Sequence, residues 1–158
     1  MIEQKVNILS PKVLKTADAV CFTSNGIIKS GGELVMGAGI AKQFRDRFEL
    51  IAERFGALVK SQGNHVYFLK FMEPPNDVDY RMIWIVSFPT KHHWRNDSDL
   101  ELIKQSANEL MTQLNNAPFI KTVYLPRPGV GLGGLSWEKE VRPAIEKILD
   151  NRVIVTSL

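Results

Sequence analysis

Residues 122–134 read Thr-Val-Tyr-Leu-Pro-Arg-Pro-Gly-Val-Gly-Leu-Gly-Gly. The first four are β-branched, aromatic or aliphatic and predict a short strand over residues 122–125. Glycines then follow at positions 129, 131, 133 and 134. In an open α/β sheet, ligands bind beyond the carboxyl ends of the strands, where a loop without side chains lets the backbone approach them closely. The stretch therefore predicts an α/β sheet with a glycine loop at the end of one strand.

The rest of the chain alternates between strand-like and helix-like segments. Four more short runs are rich in Val, Ile, Phe and Tyr, as buried strands are: residues 19–23, 65–69, 83–88 and 153–156. Helical patterns separate them, and such alternation favours a largely parallel sheet with right-handed crossovers. The predicted fold class is α/β, a three-layer α/β/α fold with a mixed, mostly parallel central sheet, in a single domain over residues 1–158.

Three helical segments are predicted. The clearest covers residues 99–114, in which apolar residues at three- and four-residue spacing share one face. Ser98 and Glu101 predict a capping box at its start, with the Ser98 hydroxyl accepting a bond from an orphan amide. A second segment begins near Ile40 and forms one bent helix or two. A third begins at about Pro143, which suits a first helical position, and ends at Asn151.

The composition is that of an ordinary globular domain. Hydrophobic residues make up 44% and charged residues 23%, and the net charge of +3 is too small to establish a nucleic-acid surface. The apolar runs are far shorter than the roughly 18 residues of a bilayer span, and the N-terminus lacks signal-peptide features, so we expect a cytoplasmic protein without a membrane partner. Cys21 is the only cysteine, and no His, Asp or Glu cluster has ligand spacing. We therefore expect no metal and no other cofactor.

A second glycine cluster, Gly37-Ala38-Gly39, stands immediately before the helix that begins near Ile40. Its backbone N–H groups, together with the positive end of the helix, favour an anion. Two familiar nucleotide motifs do not fit. Lys42 stands where the third glycine or alanine of a dinucleotide fingerprint belongs, and no Gly-Lys-Ser/Thr string of a P-loop occurs. The two glycine clusters thus predict a diphosphate ligand but no NTP hydrolysis.

Three blocks of the sequence resemble the macro domain family, in particular the branch of the DNA ADP-ribosyl glycohydrolase antitoxins and the terminal ADP-ribose protein glycohydrolases. The first block is Thr23-Ser24-Asn25 with residues 35–44, the second is residues 88–95 (Phe-Pro-Thr-Lys-His-His-Trp-Arg), and the third is residues 125–137, continued by residues 141–143. The blocks occur in order over nearly the whole chain. The resemblance implies a macro domain fold and ADP-ribose as the ligand.

The resemblance also implies roles for individual residues. Asn25 matches an asparagine near the distal ribose, and Lys91 matches the lysine to which the glycohydrolase activity of this branch is assigned. Asn7 matches an acidic residue that reads the adenine amino group, and its amide oxygen can accept the same bond. Two sets of loop residues would hold the diphosphate from opposite sides: Gly37, Ala38, Gly39 and Ile40, and Gly129, Val130, Gly131, Leu132 and Gly133.

The sequence departs from the family pattern at two further places. The protein-directed members carry an aspartate at the position of Gly133, and its absence favours chemistry of the antitoxin type. Residues 26–33 are an insertion relative to the antitoxins, placed where they are expected to reshape the mouth of the ligand pocket.

The segment after the central strand predicts both chemistry and an acceptor. Lys91, beside the distal ribose, would assist departure of the leaving group or attack an opened sugar. Trp94 and Arg95 carry planar groups that stack on bases and predict contact with a modified nucleic acid. The alternative for Trp94 is packing of the loop onto the body of the protein. Trp137 is expected to anchor the second glycine loop.

The leading hypothesis is an ADP-ribosyl hydrolase that cleaves the bond between the distal ribose and a modified acceptor, such as a DNA base. A non-catalytic module that binds ADP-ribose is the first alternative, since Gly133 supplies no carboxylate. A phosphatase acting on ADP-ribose 1''-phosphate is the second. Single-stranded nucleic-acid binding through residues 91–95, without recognition of ADP-ribose, is the third.

Overall fold

The centre of the protein is a six-stranded sheet, described by a computed structural model that covers residues 1–158. Its strands lie in the order β1-β6-β5-β2-β4-β3. Every neighbouring pair is parallel except β3 and β4, which are antiparallel. The predicted mixed, mostly parallel sheet is thereby confirmed. The strands are β1 (Ile2–Lys5), β2 (Ala19–Ser24), β3 (Tyr67–Glu73), β4 (Arg81–Pro89), β5 (Val123–Pro126) and β6 (Val153–Ser157).

Helices cover both faces of the sheet. They are α1 (Pro11–Thr16), α2 (Gly39–Arg47), α3 (Ile51–Gln62), α4 (Leu100–Asn115) and α5 (Arg142–Ile145). Alternate residues of β2 point to opposite faces, so that Val20 and Phe22 pack with α1, α2 and α3, whereas Ala19 and Cys21 pack with α4 and α5. The three α/β/α layers therefore have one apolar core on each side of the sheet. None of the helices has the length and apolar composition needed to cross a bilayer.

Two elements escaped prediction because their sequences carry little hydrophobic pattern. β1 is an edge strand whose residues are largely exposed and which pairs only with β6. α1 has six residues, and its start depends on Ser10, whose Oγ accepts a bond from the Val13 N–H at 3.4 Å. β3 begins two residues later than predicted and runs four residues further, because antiparallel pairing with β4 extends it to Glu73.

The remaining helix predictions are corrected in their bounds. The segment near Ile40 forms two helices, separated by Leu50 in a left-handed conformation with φ of 65°. The helix predicted from Pro143 to Asn151 starts earlier and ends earlier: a π-helical turn at Trp137–Val141 leads into α5, which ends at Ile145. Proline at position 143 fits the first turn, where its missing N–H costs no bond.

The start of α4 is capped by Asp99, so the predicted capping box at Ser98 is wrong. The Asp99 carboxylate accepts a bond from the Glu101 N–H at 2.9 Å, whereas the Ser98 hydroxyl has no hydrogen-bond partner. The Ser98 N–H donates to the Gly133 carbonyl at 2.9 Å, and the Asp99 N–H donates to Thr90 at 2.9 Å. The chain is therefore still tied to neighbouring loops at these residues, and the helix begins one residue later than the box requires.

The inserted segment, residues 26–33, forms a small hairpin on α3. Ile28 and Leu34 form an antiparallel bridge, and the Leu34 N–H donates to the Ala52 carbonyl at 2.9 Å. The carbonyl of Gly32 lies against Gly56 on α3, and a Cβ at position 56 would collide with it. The hairpin can approach the helix this closely only because residue 56 has no side chain.

Replacement of Gly56 by Ala is expected to lower the free energy of unfolding by about 1–3 kcal/mol through this collision. Helix propensity alone would favour Ala by up to about 1 kcal/mol, so a loss of stability would identify the close contact. Denaturant titration measures the change. Ala57→Gly, at an exposed neighbouring position of α3, is the matched control that reports propensity alone. A stabilised Gly56→Ala protein would contradict the packing described.

Candidate functional site

A cavity of about 530 Å³ lies at the carboxyl ends of three adjacent strands. β2 is parallel to β4 on one side and to β5 on the other, so these strands end at the same edge of the sheet. The segments that follow them, together with the loop before α2, supply the lining. The volume is that of a typical small-molecule site, and the position is the one expected for ligands of α/β sheets.

The first glycine loop presents a row of unpaired backbone amides at this cavity. The N–H groups of residues 36–41 donate to no acceptor in the protein, and all six residues line the cavity. α2 begins at Gly39, and its N-cap residue, Ala38, has no side chain that can cap it. The positive end of the helix macrodipole adds to these donors and favours an anion.

The second glycine loop presents a similar row. The N–H groups of residues 129–133 donate to no acceptor in the protein. The loop is closed by other bonds, among them the Leu135 N–H to the Gly129 carbonyl at 2.9 Å. Gly129 and Gly131 have φ of 79° and 72°, a left-handed conformation that favours glycine. Successive unpaired amides in such turns form a concave binding site for anions.

Leu132 joins the two loops across the cavity mouth. A Cβ at Gly39 would lie 3.5 Å from the Leu132 Cδ1, although the Leu132 side chain remains 70% exposed. Its carbonyl accepts a bond from the Lys91 Nζ at 3.3 Å. The first loop, the second loop and Lys91 therefore meet at Leu132.

Lys91 is half-buried, and its backbone is held on both sides. Its N–H donates to the Ser24 carbonyl at 3.3 Å, and its own carbonyl accepts a bond from the Asn64 Nδ2 at 3.0 Å. The next residue is tied to the end of β2 by the Gly26 N–H, which donates to the His92 carbonyl at 3.2 Å. The ammonium group is thus presented to the cavity from a fixed backbone.

Asn25 lines the cavity and also closes the hairpin beside it. Its Nδ2 donates to the Val35 carbonyl at 3.1 Å, and its Oδ1 accepts a bond from the Ile27 N–H at 2.9 Å. One N–H and one lone pair of the amide remain for a ligand.

No residue of the insertion 26–33 lines the cavity, so the expectation that it reshapes the cavity mouth is wrong. The hairpin extends along α3 instead.

Two of the predicted ligand residues lie outside the cavity lining. Asn7 makes a turn before α1, in which its Oδ1 accepts a bond from the Leu9 N–H at 2.9 Å. A Cβ at Gly131 would have no neighbouring atom within 4 Å. The Gly131 N–H is nevertheless one of the unpaired amides of the second loop. The other predicted site residues all line the cavity: Asn25, Gly37, Ala38, Gly39, Ile40, Lys91, Gly129, Val130, Leu132 and Gly133.

Sequence analysis gave no ligand-binding role to four hydroxyl residues in the lining, Thr23, Ser24, Thr90 and Ser98, of which the last three are less than 10% exposed. Ser24 ends β2 and Thr90 directly follows β4, so their positions at strand ends were the available signal. Ser98 carried no such signal, because its sequence context predicted a helix cap. Arg127, beside the second loop, was missed as well.

Trp137 belongs to the apolar core against which Val130 of the second loop packs, in line with the expected anchoring of that loop to the core. It is buried, and its Nε1 donates to the Glu3 Oε1 at 3.0 Å. The Arg127 guanidinium lies 4.9 Å above the centre of the indole and 3.7 Å from the same carboxylate. Glu3 of β1 therefore positions both the tryptophan and the arginine that border the loop.

Trp94 stands at the mouth of the cavity with 45% of its surface exposed. Its ring stacks on His93, with centroids 5.4 Å apart, and the Arg95 guanidinium lies 4.7 Å from the ring centre. More than half of the residue is covered, so packing of the loop and contact with a base both stay predictions for Trp94.

His92 and Asp99 tie the segment that carries Lys91 to the start of α4. The His92 Nε2 donates to the Asp99 Oδ2 at 2.9 Å. This bond, with the backbone N–H groups at the start of α4, lowers the pKa of the Asp99 carboxyl below its ordinary value. Asp99 thus serves both as the helix cap and as the attachment point of the loop.

The sheet order and the two-loop cavity define a macro domain. The solved macrodomain of Mycobacterium tuberculosis DarG superposes with a TM-score of 0.75 at 25% identity, covering 99% of this chain and 97% of that one. Thermosipho africanus DarTG in complex with ADP-ribose gives a TM-score of 0.70 at 24% identity, covering 89% of this chain and 38% of that one. The chain therefore has the fold of the macro domain family, and it is similar to the DarG macrodomains.

A curated relative supports the same placement. The DNA ADP-ribosyl glycohydrolase of Thermus aquaticus is 30% identical over 117 residues, which are 73% of this chain and 31% of that protein. The chain thus spans about a third of the length of that relative. No protein-family model matches the chain.

Replacement of Asp99 by Ala is expected to lower the free energy of unfolding by about 1 kcal/mol near pH 7, through loss of the cap. Because the folded-state pKa is lowered, the carboxylate stabilises the fold above its unfolded-state pKa of about 3.9, and this contribution disappears as the pH falls through the folded-state pKa. The difference from wild type should therefore shrink in acid, as thermal unfolding across this range would measure. Asp97→Ala, at an exposed carboxylate nearby, is the control. An equal loss there would argue against the cap.

Proposed function

We propose that this chain is an ADP-ribosyl glycohydrolase that binds ADP-ribose between its two glycine loops and releases it from a modified acceptor. The observation that carries the proposal is the pair of amide rows, six N–H groups from the first loop and five from the second, whose residues all line one cavity except Gly131. A diphosphate offers the negative charge and the acceptor oxygens that such rows require. The complex of Thermosipho africanus DarTG with ADP-ribose supports the identity of the ligand.

The proposed ligand position follows the lining. The diphosphate lies between residues 37–40 and residues 129–133, and the distal ribose lies toward Asn25 and Lys91. Asn25 orients the sugar with the N–H and lone pair left free by its bonds to the hairpin. Because all these groups surround one cavity, residues 1–158 act as a single functional domain in this proposal.

In the proposed reaction, the bond between the anomeric carbon of the distal ribose and the acceptor breaks. Water supplies a hydroxyl to the carbon and a proton to the acceptor. Lys91 is held at the cavity mouth by its bond to the Leu132 carbonyl. It either assists departure of the acceptor directly, or its amine adds to the anomeric carbon of the opened sugar and displaces the acceptor, and water then hydrolyses the resulting imine to release the sugar and the free lysine.

The second loop carries no carboxylate at the position of Gly133. A Cβ at Gly133 would collide with the Ser98 hydroxyl, so an aspartate at this position would require Ser98 to move. Lys91 is therefore the group on which turnover depends, in line with chemistry of the DNA-directed type. The name of the Thermus aquaticus relative, a DNA ADP-ribosyl glycohydrolase, supports this choice.

Replacement of Lys91 by Ala is expected to reduce the release of ADP-ribose from ADP-ribosylated DNA by at least about 100-fold, because the group that assists bond cleavage is lost. Calorimetric titration should give an affinity for ADP-ribose close to that of wild type. Lys121→Ala, at an exposed lysine before β5, is the matched control and should leave both unchanged.

Other outcomes decide between the alternatives. If wild type binds ADP-ribose but releases it from neither DNA nor protein, the chain is a binding module. Release of phosphate from ADP-ribose 1''-phosphate would assign a phosphatase. Binding of unmodified oligonucleotide that excess ADP-ribose does not disturb would assign a nucleic-acid-binding protein instead.

We further propose that a nucleic-acid base stacks on Trp94. The indole is half exposed at the cavity mouth, and Arg95 adds a cation beside it, which suits a base and its phosphate. An acceptor attached to the distal ribose would leave the cavity past Lys91, near this ring.

Replacement of Trp94 by Ala is expected to raise KM for ADP-ribosylated oligonucleotide by about 5- to 100-fold, since stacking on an aromatic contributes about 1–3 kcal/mol per base. The affinity for free ADP-ribose, measured by calorimetry, should change much less. Phe119→Ala removes an exposed aromatic ring elsewhere and serves as the control. Equal losses for the oligonucleotide and for free ADP-ribose would argue against base stacking.

A further inference from the structure

Ser98 lies where the segment after β4 passes beneath the second glycine loop. Its N–H donates to the Gly133 carbonyl at 2.9 Å, so its backbone is attached directly to that loop. The residue is 93% buried, and it lines the cavity beside Gly129 and Gly133. It therefore borders the part of the cavity where the second row of amides stands.

The Ser98 hydroxyl forms no hydrogen bond within the protein. The capping role that its position suggests is performed by Asp99. A buried hydroxyl without a partner destabilises a fold, and native proteins keep few such groups. The stability of the fold thus gives no reason for a hydroxyl at this position, whereas a ligand in the cavity does.

The second loop is shaped around this hydroxyl. A Cβ at Gly133 would collide with the Ser98 Oγ, and a Cβ at Gly129 would lie 3.3 Å from the Ser98 Cβ. Gly133 is thus kept free of a side chain next to this serine, whereas the atom nearest to a Cβ at Gly129 would be the Ile103 Cδ1. The neighbouring amides of residues 129–133 are unpaired, and the Ser98 hydroxyl lies beside Gly133, one of these residues.

We propose that Ser98 is a ligand-binding residue whose hydroxyl donates a hydrogen bond to an oxygen of the diphosphate held by the second loop. The inference rests on the proposed function, since it requires an ADP-ribose-like ligand in the cavity. Ser98 adds a side-chain hydroxyl beside the backbone amides of the second loop.

Replacement of Ser98 by Ala tests this assignment because it removes only the hydroxyl. Affinity for ADP-ribose, measured by calorimetry, is expected to fall about tenfold, the effect of one lost hydrogen bond. The melting temperature without ligand should stay the same or rise, because an unpaired buried hydroxyl is gone. A helix-capping or other structural role would lower that temperature instead.

Ser106→Ala, on the helix α4 that follows Ser98, is the matched control. Ser106 is also buried, but its hydroxyl donates to the Pro89 carbonyl at 2.7 Å. Its removal should lower the melting temperature and leave the affinity for ADP-ribose unchanged. The two variants are thus expected to show opposite patterns of stability and affinity.

The affinity for ADP, which lacks the distal ribose, shows which group of the ligand Ser98 contacts. Equal fold-losses for ADP and ADP-ribose in Ser98→Ala support the bond to the diphosphate, whereas a loss confined to ADP-ribose would overturn it in favour of the sugar. If wild type and Ser98→Ala bind ADP-ribose equally well, the inference fails alone. If wild type binds no ADP-ribose, the proposed function fails and the inference falls with it.

Discussion

Parallel pairing of β2 with β4 on one side and β5 on the other is the constraint on which the rest of the structure depends. All six residues of β2 pair with β4, and two of them pair with β5. Because the strands run in the same direction, their carboxyl ends lie together at one edge, and three chain segments distant in sequence come to surround one cavity. The pairing thereby brings Asn25, Lys91 and the second glycine loop together.

At that edge the binding groups are mainly backbone amides. In both glycine loops the backbone leaves the regular hydrogen-bonding pattern of helix and strand, so these amides have no partner in the protein. The start of α2 adds the positive end of the helix dipole to the first loop. The second loop can lie this close to α4 because Gly129 and Gly133 have no side chains; a Cβ at Gly129 would lie 2.6 Å from the Ile103 Cδ1. Glycine is therefore needed in this loop for packing as well as for access to an anion.

Much of this could be predicted from the sequence. The apolar runs of β2, β4, β5 and β6 are strong signals because these strands are buried, whereas the exposed edge strand β1 gave none. The Ser98 and Glu101 pair fits a capping box in sequence, but contacts of Ser98 with Gly133 and of Asp99 with Thr90 move the helix start by one residue. Local patterns cannot anticipate such contacts, because the residues involved are far apart in the chain.

The sequence by itself determined the fold class and the two glycine loops, since these depend on residue types and their spacing along the chain. The role of Lys91 came from the resemblance to the macro domain family and stays a prediction. Tertiary structure alone decided which groups face the same cavity: it placed Asn7 outside the lining, turned the insertion 26–33 toward α3 and left the Ser98 hydroxyl buried without a partner. The physical reason is that burial and hydrogen-bond partners are set by segments that meet only when the sheet is assembled.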